Sequence, residues 1–342
     1  MTDDRDRRPI LATGFVADSP EEGTTFPSAG GNSGDPRVQA IYWRCLVVLF
    51  ASARLTNPDQ RLVLFSNVAP PLVDGIAIAA VLDRYGVEQR RVPLSARLAR
   101  ARTPAWGNVL YFFDILAALA HSEAPGTRMA LVDSDVVVTG SLAPLFALLD
   151  RHDYAGYAVD SRIDEDINGM TRADFAHVIA ACGGQPDPPA PKHFGGELFA
   201  TAIGTWLRDR GVFSRLLDDA LRREGPGADV RTEEHIFSIA WPLLGGCVAD
   251  ANALMKRIWT SPRHNTAAMG DETLPLWHVP AEKRYGLADL FRELSRRGFP
   301  EQLDLEEFRA IAGGYCGVPR KNAGKILRDG ARQVAAKLGL RT

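Results

Sequence analysis

Cysteine is scarce in this chain of 342 residues, which has only four. Cys45, Cys182, Cys247 and Cys316 are scattered, and no two of them have the spacing of a zinc site. Such a pattern is typical of proteins from reducing compartments. We therefore expect free thiols in a cytoplasmic protein.

Long hydrophobic runs and an excess of one charge are missing as well. The most hydrophobic stretches, residues 45–51 and 76–82, are far shorter than the ~20 residues of a membrane-spanning helix. The apolar stretch after the N-terminal MTDDRDRRP is too short for a signal peptide. Lys and Arg (40) are balanced by Asp and Glu (42), giving a formal net charge of −2, whereas binding of nucleic acid requires a basic excess. We expect no nucleic-acid partner.

What the chain does contain is an alternation of strand-like and helix-like segments. Helical spacing of apolar residues predicts a helix over residues 107–121, and residues 128–132 form an apolar strand-like stretch. Asp35-Pro36 predicts the start of a helix that runs to Leu55, and further helices are predicted over residues 72–85 and 233–244. The Gly/Ser/Pro-rich residues 18–34 are predicted to form a loop and no regular element. Strands alternating with helices indicate an α/β fold with a mostly parallel central sheet covered on both faces. No repeat or linker is visible, so we expect one domain over residues 1–300, with halves at about 9–155 and 156–300, and a helical tail over 301–342.

Two carboxylates directly follow a hydrophobic strand in LVDSDVVVTG, where Asp133 and Asp135 flank Ser134. In open α/β sheets, ligands bind beyond the carboxyl ends of the strands. Two hard oxygen ligands suit Mg²⁺ or Mn²⁺ shared with substrate phosphates. The alternative is that both side chains only form a turn or cap a helix, and the triplet alone does not decide between them.

At this point the sequence resembles glycosyltransferase family 8, retaining enzymes of the GT-A fold. The strand, the Asp-x-Asp triplet and the following Val-Val residues and Leu-x-x-Leu reproduce the family pattern over residues 131–145. The likeness continues with HFGGELFATAIGTW, TEEHIFS and WHVPAEKRYG, and it covers roughly residues 9–290. It implies a Rossmann-like GT-A domain that moves a hexose from a nucleotide diphosphate sugar, expected to be a UDP-sugar, to a glycan or lipid acceptor.

The resemblance also assigns roles to individual residues. His278 is implied as the third metal ligand beside Asp133 and Asp135, with Mn²⁺ or Mg²⁺ as the cofactor, although a His next to Trp277 is often only packed. Lys283 is implied as a contact to the diphosphate of the donor, the alternative being an exposed, solvated lysine.

Catalytic and donor-binding residues are expected in the remaining motifs. Glu234 matches the carboxylate or amide on the far face of the sugar, but Glu233 and Glu234 equally suit the start of a helix capped by Thr232. Asp160, at the end of YAGYAV, is expected to orient sugar or acceptor hydroxyls. The expected donor-binding residues are Ala12, Thr13, Asp18, Ser134, Gly196, Glu197 and Lys283.

Departures from the family pattern keep two other hypotheses open. Gly195 replaces the family's Asn, Glu197 falls where Gly is usual, and Arg284-Tyr285 replaces Pro-Trp. One alternative is a degenerate GT-A domain that only binds a nucleotide sugar. The other is a haloacid-dehalogenase-like phosphatase, although Gly270-Asp271 lacks the second acid of that family's later motif.

The C-terminal segment carries seven basic residues from Arg320 onwards against one acid, Asp329. Its apolar residues share one helical face: Ile326, Leu327, Ala331, Val334, Ala335 and Leu338. Such a helix either lies on an anionic membrane or docks on the protein body with its basic face in solvent. For a cytoplasmic protein the membrane surface would be the inner membrane face.

Overall fold

The computed structural model describes residues 8–98, 105–261 and 264–337. Its strands are β1 (Ile10–Phe15), β2 (Thr25–Phe26), β3 (Gly31–Asn32), β4 (Arg61–Ser66), β5 (Leu72–Val73), β6 (Ile76–Ala77), β7 (Val87–Arg91), β8 (Arg128–Val132), β9 (Val136–Val138), β10 (Tyr154–Val159), β11 (His193–Ala202), β12 (Val248–Asp250), β13 (Met255–Arg257) and β14 (Leu276–His278). Its α-helices are α1 (Pro36–Thr56), α2 (Ile78–Arg84), α3 (Tyr111–Ser122), α4 (Ala143–Leu148), α5 (Arg172–Ala181), α6 (Ile203–Arg222), α7 (Glu233–Leu244), α8 (Gly286–Arg296), α9 (Leu305–Cys316) and α10 (Ala323–Lys337). Short 3₁₀ helices cover Asp271–Thr273 and Pro280–Glu282.

Seven strands form the central sheet, in the order β12-β10-β11-β8-β1-β4-β7. β1 pairs in parallel with β4 and β8, β4 with β7, and β10 with β12, whereas β11 is antiparallel to both of its neighbours. Alternate residues of β1 enter different buried clusters, Leu11 on the side of α1 and Ile10 on the side of α3, α6 and α7. This confirms the predicted fold class, an α/β architecture with a mostly parallel sheet between helices.

A small second sheet, in the order β13-β14-β9, lies beside the central one. β9 continues the chain just after the Asp133–Asp135 turn, and β14 pairs with it antiparallel, so that His278 lies opposite Val136. The backbone N–H of Val279 donates to the carbonyl of Asp135 at 3.1 Å. This pairing joins two motifs that are more than a hundred residues apart in the sequence.

Helix α1 begins as the sequence predicts. The carboxylate of Asp35 accepts a hydrogen bond from the backbone N–H of Arg37 at 2.8 Å, and Pro36 occupies the first turn. By length and composition α1 is apolar enough to cross a membrane, but 67% of its most apolar window is buried inside the protein. We interpret α1 as a core helix that covers one face of the sheet.

Two local predictions are wrong in part. The spacing of apolar residues predicts one helix over residues 72–85, but the structure has the β5–β6 hairpin before α2. The hairpin turns at Asp74 and Gly75, whose φ angles are 52° and 79°. Positive φ angles at both central residues are typical of an Asp-Gly hairpin turn. Residues 18–34, predicted to hold no regular element, contain the β2–β3 hairpin.

The segment predicted as a tail is attached to the main body. Phe308, Ala312 and Cys316 of α9 belong to the same buried cluster as α1 and α8. Lys325 of α10 is 2% exposed, and its ammonium donates to Glu282 at 2.7 Å, whose side chain is 3% exposed. Residues 1–7 of the predicted domain and Leu338 onwards of the predicted tail lie outside the described residues.

The buried pair of Lys325 and Glu282 gives a first prediction. Lys325→Met should lower the free energy of unfolding by about 3–5 kcal/mol, because the carboxylate of Glu282 remains buried without its cation. Urea denaturation followed by circular dichroism measures this loss. The double variant Lys325→Met/Glu282→Gln, which removes both charges, should recover much of it, and equal stability of single variant and wild type would contradict the prediction.

Candidate active site

Asp133, Asp135 and His278 come together at the carboxyl end of β8. Nε2 of His278 lies 3.1 Å from Oδ2 of Asp135 and 3.4 Å from Oδ2 of Asp133. One ligand atom from each residue lies within 4.8 Å of the other two. His278 and Asp135 are buried, whereas the side chain of Asp133 is half-exposed. The three predicted metal ligands therefore form one cluster, open on the side of Asp133.

The donor atoms of this cluster suit a divalent ion. Oδ1 of Asp135 is buried and accepts no hydrogen bond from the residues that the structure describes. Such an atom is uncommon in a folded protein without a ligand to satisfy it. Two carboxylates with one imidazole suit Mn²⁺ better than Mg²⁺, which prefers oxygen ligands alone.

The buried charges near the cluster lie next to charges of opposite sign. Nζ of Lys283 donates to Oδ2 of Asp135 at 2.5 Å. Burial would raise the pKa of Asp135, but the charges of Lys283 and His278 outweigh it and hold that pKa below its usual range. Burial would lower the pKa of His278, but the charge and hydrogen bond of Asp135, together with Glu197, raise it to about 9. Lys283, at 8% exposure, is therefore not the solvated lysine of the alternative interpretation.

Glu197 lies behind His278 and does not line the cavity described below. Its carboxylate accepts two hydrogen bonds of 2.6 Å from the guanidinium of Arg257, and Oε1 lies 3.5 Å from Nδ1 of His278. Burial would raise the pKa of Glu197, but Arg257 and His278 lower it to about 2. A carboxylate on the second ring nitrogen is the usual partner of a metal-binding histidine, since it fixes the ring orientation. Glu197 is placed to orient His278.

Gly195 makes room for this ion pair. A Cβ at Gly195 would lie 2.0 Å from Oε2 of Glu197 and 2.6 Å from Nη2 of Arg257. The side chain of Glu197 therefore fits only because residue 195 is a glycine. The two departures from the pattern that the sequence resembles, Gly for Asn at 195 and Glu for Gly at 197, depend on each other. Their occurrence together was the sequence signal for the pair, but the sequence did not identify Arg257 as the partner.

A cavity of about 180 Å³ opens beside the cluster. Asp133, Ser134, Asp135, Lys283 and Thr13 line it. The remaining wall is rich in aromatic side chains: Phe15, Phe26, Tyr42, Trp106, Tyr111 and Phe112. Nζ of Lys283 lies 5.7 Å from the ring centroid of Tyr42. The cavity thus places charged groups beside aromatic rings.

Two adjacent acids at the start of α7 point to different places. Glu233 lines the cavity, and a Cβ at Gly196 would lie 2.1 Å from its Oε1. Burial and the charge of Glu234 raise the pKa of Glu233 well above its usual value. Glu234 does not line the cavity, since it is held by the amide of Asn168 and lies 3.5 Å from Nε2 of His193. Burial would raise the pKa of Glu234, but the hydrogen bond and charge of His193 lower it to about 2.

The other predicted residues divide between the cavity and its surroundings. Thr13, Ser134, Gly196 and Lys283 line the cavity. Ala12 is buried in the core on the side of α3. Asp18 is 4% exposed and pairs with Arg97 at 2.5 Å, so it fastens the 18–34 segment instead of lining the cavity. Asp160 is exposed at the end of β10 and does not line the cavity either.

No protein-family model matches the chain, and no curated protein matches its sequence. Solved structures similar to it include the WbbM bifunctional glycosyltransferase, at 12% identity and a TM-score of 0.49 over 80% of this chain. This chain spans only 46% of the WbbM chain. The galactosyltransferase LgtC with donor and acceptor sugar analogues matches at 15% identity and a TM-score of 0.46, over 88% of this chain and 99% of that one. Mouse xyloside xylosyltransferase 1 matches at 12% and 0.44, over 79% and 97%.

The contact of Glu197 with His278 gives a second prediction. Glu197→Gln should weaken Mn²⁺ binding about 10- to 100-fold, the usual effect of losing the carboxylate that orients a ligating histidine. Isothermal titration with Mn²⁺ measures the affinity, and Glu234→Gln is the matched control because it changes a buried acid that does not contact His278. A purely structural role would lower the melting temperature of Glu197→Gln and leave its Mn²⁺ affinity unchanged.

Proposed function

We propose that this chain is a metal-dependent glycosyltransferase of the GT-A type, acting on a nucleotide diphosphate sugar. The observation that carries the proposal is the cluster of Asp133, Asp135 and His278, whose two aspartates line an aromatic-rich cavity together with Lys283. The cavity lies beyond the carboxyl ends of β1 and β8, where open α/β sheets bind their ligands.

The residues that line the cavity suit the parts of such a donor. A nucleobase stacks on aromatic rings, and Trp106, Tyr42 and Phe26 are among the rings that line the cavity. A diphosphate needs cations, and Lys283 lies next to the three metal ligands. The sequence resemblance supports UDP as the nucleotide, a hexose as the sugar, and a glycan or lipid as the acceptor.

The charged residues beside the cavity favour departure of the nucleoside diphosphate. A divalent ion held by Asp133, Asp135 and His278 would act as a Lewis acid on the diphosphate. Lys283 supplies a second positive charge, and its buried position strengthens that charge towards a leaving group. Arg257 and Glu197 keep the imidazole of His278 oriented towards the aspartates.

Glu233, not Glu234, is the carboxyl group that we assign to the donor sugar. Its Oε2 is buried and accepts no hydrogen bond from the described residues, and the group lines the cavity. In its neutral form this carboxyl group is able to bond sugar hydroxyls, and once ionised it would stabilise positive charge at the anomeric carbon. We keep the retaining stereochemistry that the resemblance implies, with Glu233 in place of Glu234.

The phosphatase alternative requires Asp135 to act as a general acid. Its carboxylate is instead held ionised by Lys283 and His278, which leaves it without a proton to donate near neutral pH. The degenerate-domain alternative is less favoured because the three ligands form one cluster, and Asp133 and Asp135 line the cavity with Lys283.

A third prediction tests the metal site. Asp135→Ala should abolish the Mn²⁺-dependent stabilisation by nucleotide diphosphate sugars, because the cluster loses its buried carboxylate. A thermal-shift series with UDP-, GDP- and ADP-sugars, with and without Mn²⁺, measures this and ranks the bases. Asp160→Ala is the matched control, since it removes an exposed acid outside the cavity. Equal stabilisation of the Asp135 variant and wild type would contradict the proposal.

A fourth prediction separates the two adjacent acids. Glu233→Gln should lower kcat about 100-fold or more with little change in donor affinity, since one group aimed at developing charge has effects of that size. Glu234→Gln should affect thermal stability more than kcat, because its partners are Asn168 and His193. The reverse ranking would restore Glu234. Proton NMR of the anomeric signal, with an α-linked donor, should show an α-linked product.

A further inference from the structure

Glu233 differs from the neighbouring acids of the site in its charge partners. Three of these acids each lie next to a basic side chain: Asp135 next to Lys283 at 2.5 Å, Glu197 next to Arg257 at 2.6 Å, and Glu234 next to His193 at 3.5 Å. No cation of the described residues forms an ion pair with Glu233, and its buried Oε2 accepts no hydrogen bond from them. Since buried polar atoms normally have a partner, we expect one from outside the chain.

The carboxyl group of Glu233 is accessible to a ligand through the cavity. Glu233 lines the cavity wall, and a Cβ at Gly196 would lie 2.1 Å from Oε1 of Glu233. Any larger side chain at position 196 would therefore displace this carboxyl group. Because Glu233 lines the cavity that we assign to the donor, a partner for its carboxyl group is able to arrive with the donor.

The metal ion of the proposed site is not this partner. Among the described residues, the three predicted metal ligands form the group whose ligand atoms lie within 4.8 Å of one another, and Glu233 is not part of it. Burial, followed by the negative charges of Glu234 and Asp133, raises the pKa of Glu233 well above its usual value. A positively charged group beside Glu233 would therefore be favoured, because it would offset both effects.

We propose, on the basis of the proposed function, that the donor carries a 2-amino-2-deoxyhexose whose ammonium group pairs with Glu233. Such a sugar brings the cation that none of the described residues supplies to this carboxyl group. The charge of Asp133, a predicted metal ligand, acts on Glu233, so the carboxyl group lies towards the diphosphate end of the donor. C2 is the carbon of the hexose next to the anomeric carbon, and it lies at the same end.

The ion pair also suits the transfer step. Positive charge develops at the anomeric carbon as the nucleoside diphosphate leaves. An ammonium group on C2 alone would oppose this charge, whereas a carboxylate beside the ammonium group offsets the repulsion. An N-acetyl group on C2 is neutral and would leave Glu233 without a cation. The site is therefore expected to prefer the free amine.

Isothermal titration of the full chain with three donors in the presence of Mn²⁺ tests the inference. The donors are UDP-glucosamine, UDP-glucose and UDP-N-acetylglucosamine, which share the nucleotide and differ at C2 of the hexose. The wild type should bind UDP-glucosamine about tenfold or more tightly than UDP-glucose, because a buried carboxyl group gains its only cation. UDP-N-acetylglucosamine should bind no more tightly than UDP-glucose.

Two variants assign the preference to one carboxyl group. Glu233→Gln should lower the affinity for UDP-glucosamine about tenfold and change that for UDP-glucose little, since the neutral hexose brings no charge to this position. Glu234→Gln is the matched control, because it changes the adjacent acid, which does not line the cavity, and it should keep the preference for the amine. Circular dichroism checks that both variants are folded.

The outcomes separate this inference from the proposed function. If the wild type binds UDP-glucose as tightly as UDP-glucosamine, or if Glu233→Gln keeps the preference, the amino sugar is wrong and the glycosyltransferase proposal stands. If Mn²⁺ promotes the binding of none of the three donors, the proposed function fails and the inference fails with it. The wild-type comparison decides the matter even where a variant does not fold.

Discussion

Burial of negative charge is the constraint on which the site depends. Asp135, Glu197 and Glu234 are each at most 6% exposed, and an unpaired charge at such positions costs several kcal/mol. Each therefore has its own cation or polar partner: Lys283 and His278 for Asp135, Arg257 for Glu197, and His193 with Asn168 for Glu234. No cation of the described residues forms an ion pair with Glu233, and burial raises its pKa instead. The protonation of four neighbouring acids thus follows from which of them has a positive partner.

The same constraint links residues that are distant in the sequence. Glu197 on β11 and Arg257 on β13 form an ion pair only because a glycine at 195 leaves the space for it. His278 on β14 then lies between this pair and the aspartates after β8. The order of the ligands in space is set by two strand pairings, β11 with β8 and β14 with β9. A shift of one residue in either strand pairing would move a ligand along its strand and turn its side chain to the opposite face of the sheet. The metal ligands would then no longer meet.

Local patterns were sufficient for much of the fold and part of the site. The structure confirms the start of α1 at its Asp35 cap, the strand before Asp133 and the bounds of α7. Thr232 precedes α7 as predicted, but its side chain does not form the capping hydrogen bond. The β5–β6 hairpin was missed because its apolar flanks fit a helix, although Asp74-Gly75 is a turn signal. Which of Glu233 and Glu234 faces the cavity was not predictable, because both suit the first turn of a helix and only packing fixes the helix rotation. Arg257 was missed since nothing in the sequence near it marks a partner sixty residues away.

The cavity wall combines the ends of sheet strands with a segment that few hydrogen bonds hold. Residues at the carboxyl ends of β1 and β8 line one part of the wall, so moving that part would disturb the metal ligands. Phe26 and Trp106 line another part, where the backbone N–H of Trp106 donates to the carbonyl of Thr25 at 3.1 Å. At about 180 Å³ the cavity is smaller than the roughly 300–1,000 Å³ of most small-molecule sites. In the proposed function, a nucleotide sugar would therefore displace the part of the wall that carries Phe26 and Trp106, because a few local hydrogen bonds are easier to break than the strand pairings that position Asp135 and His278.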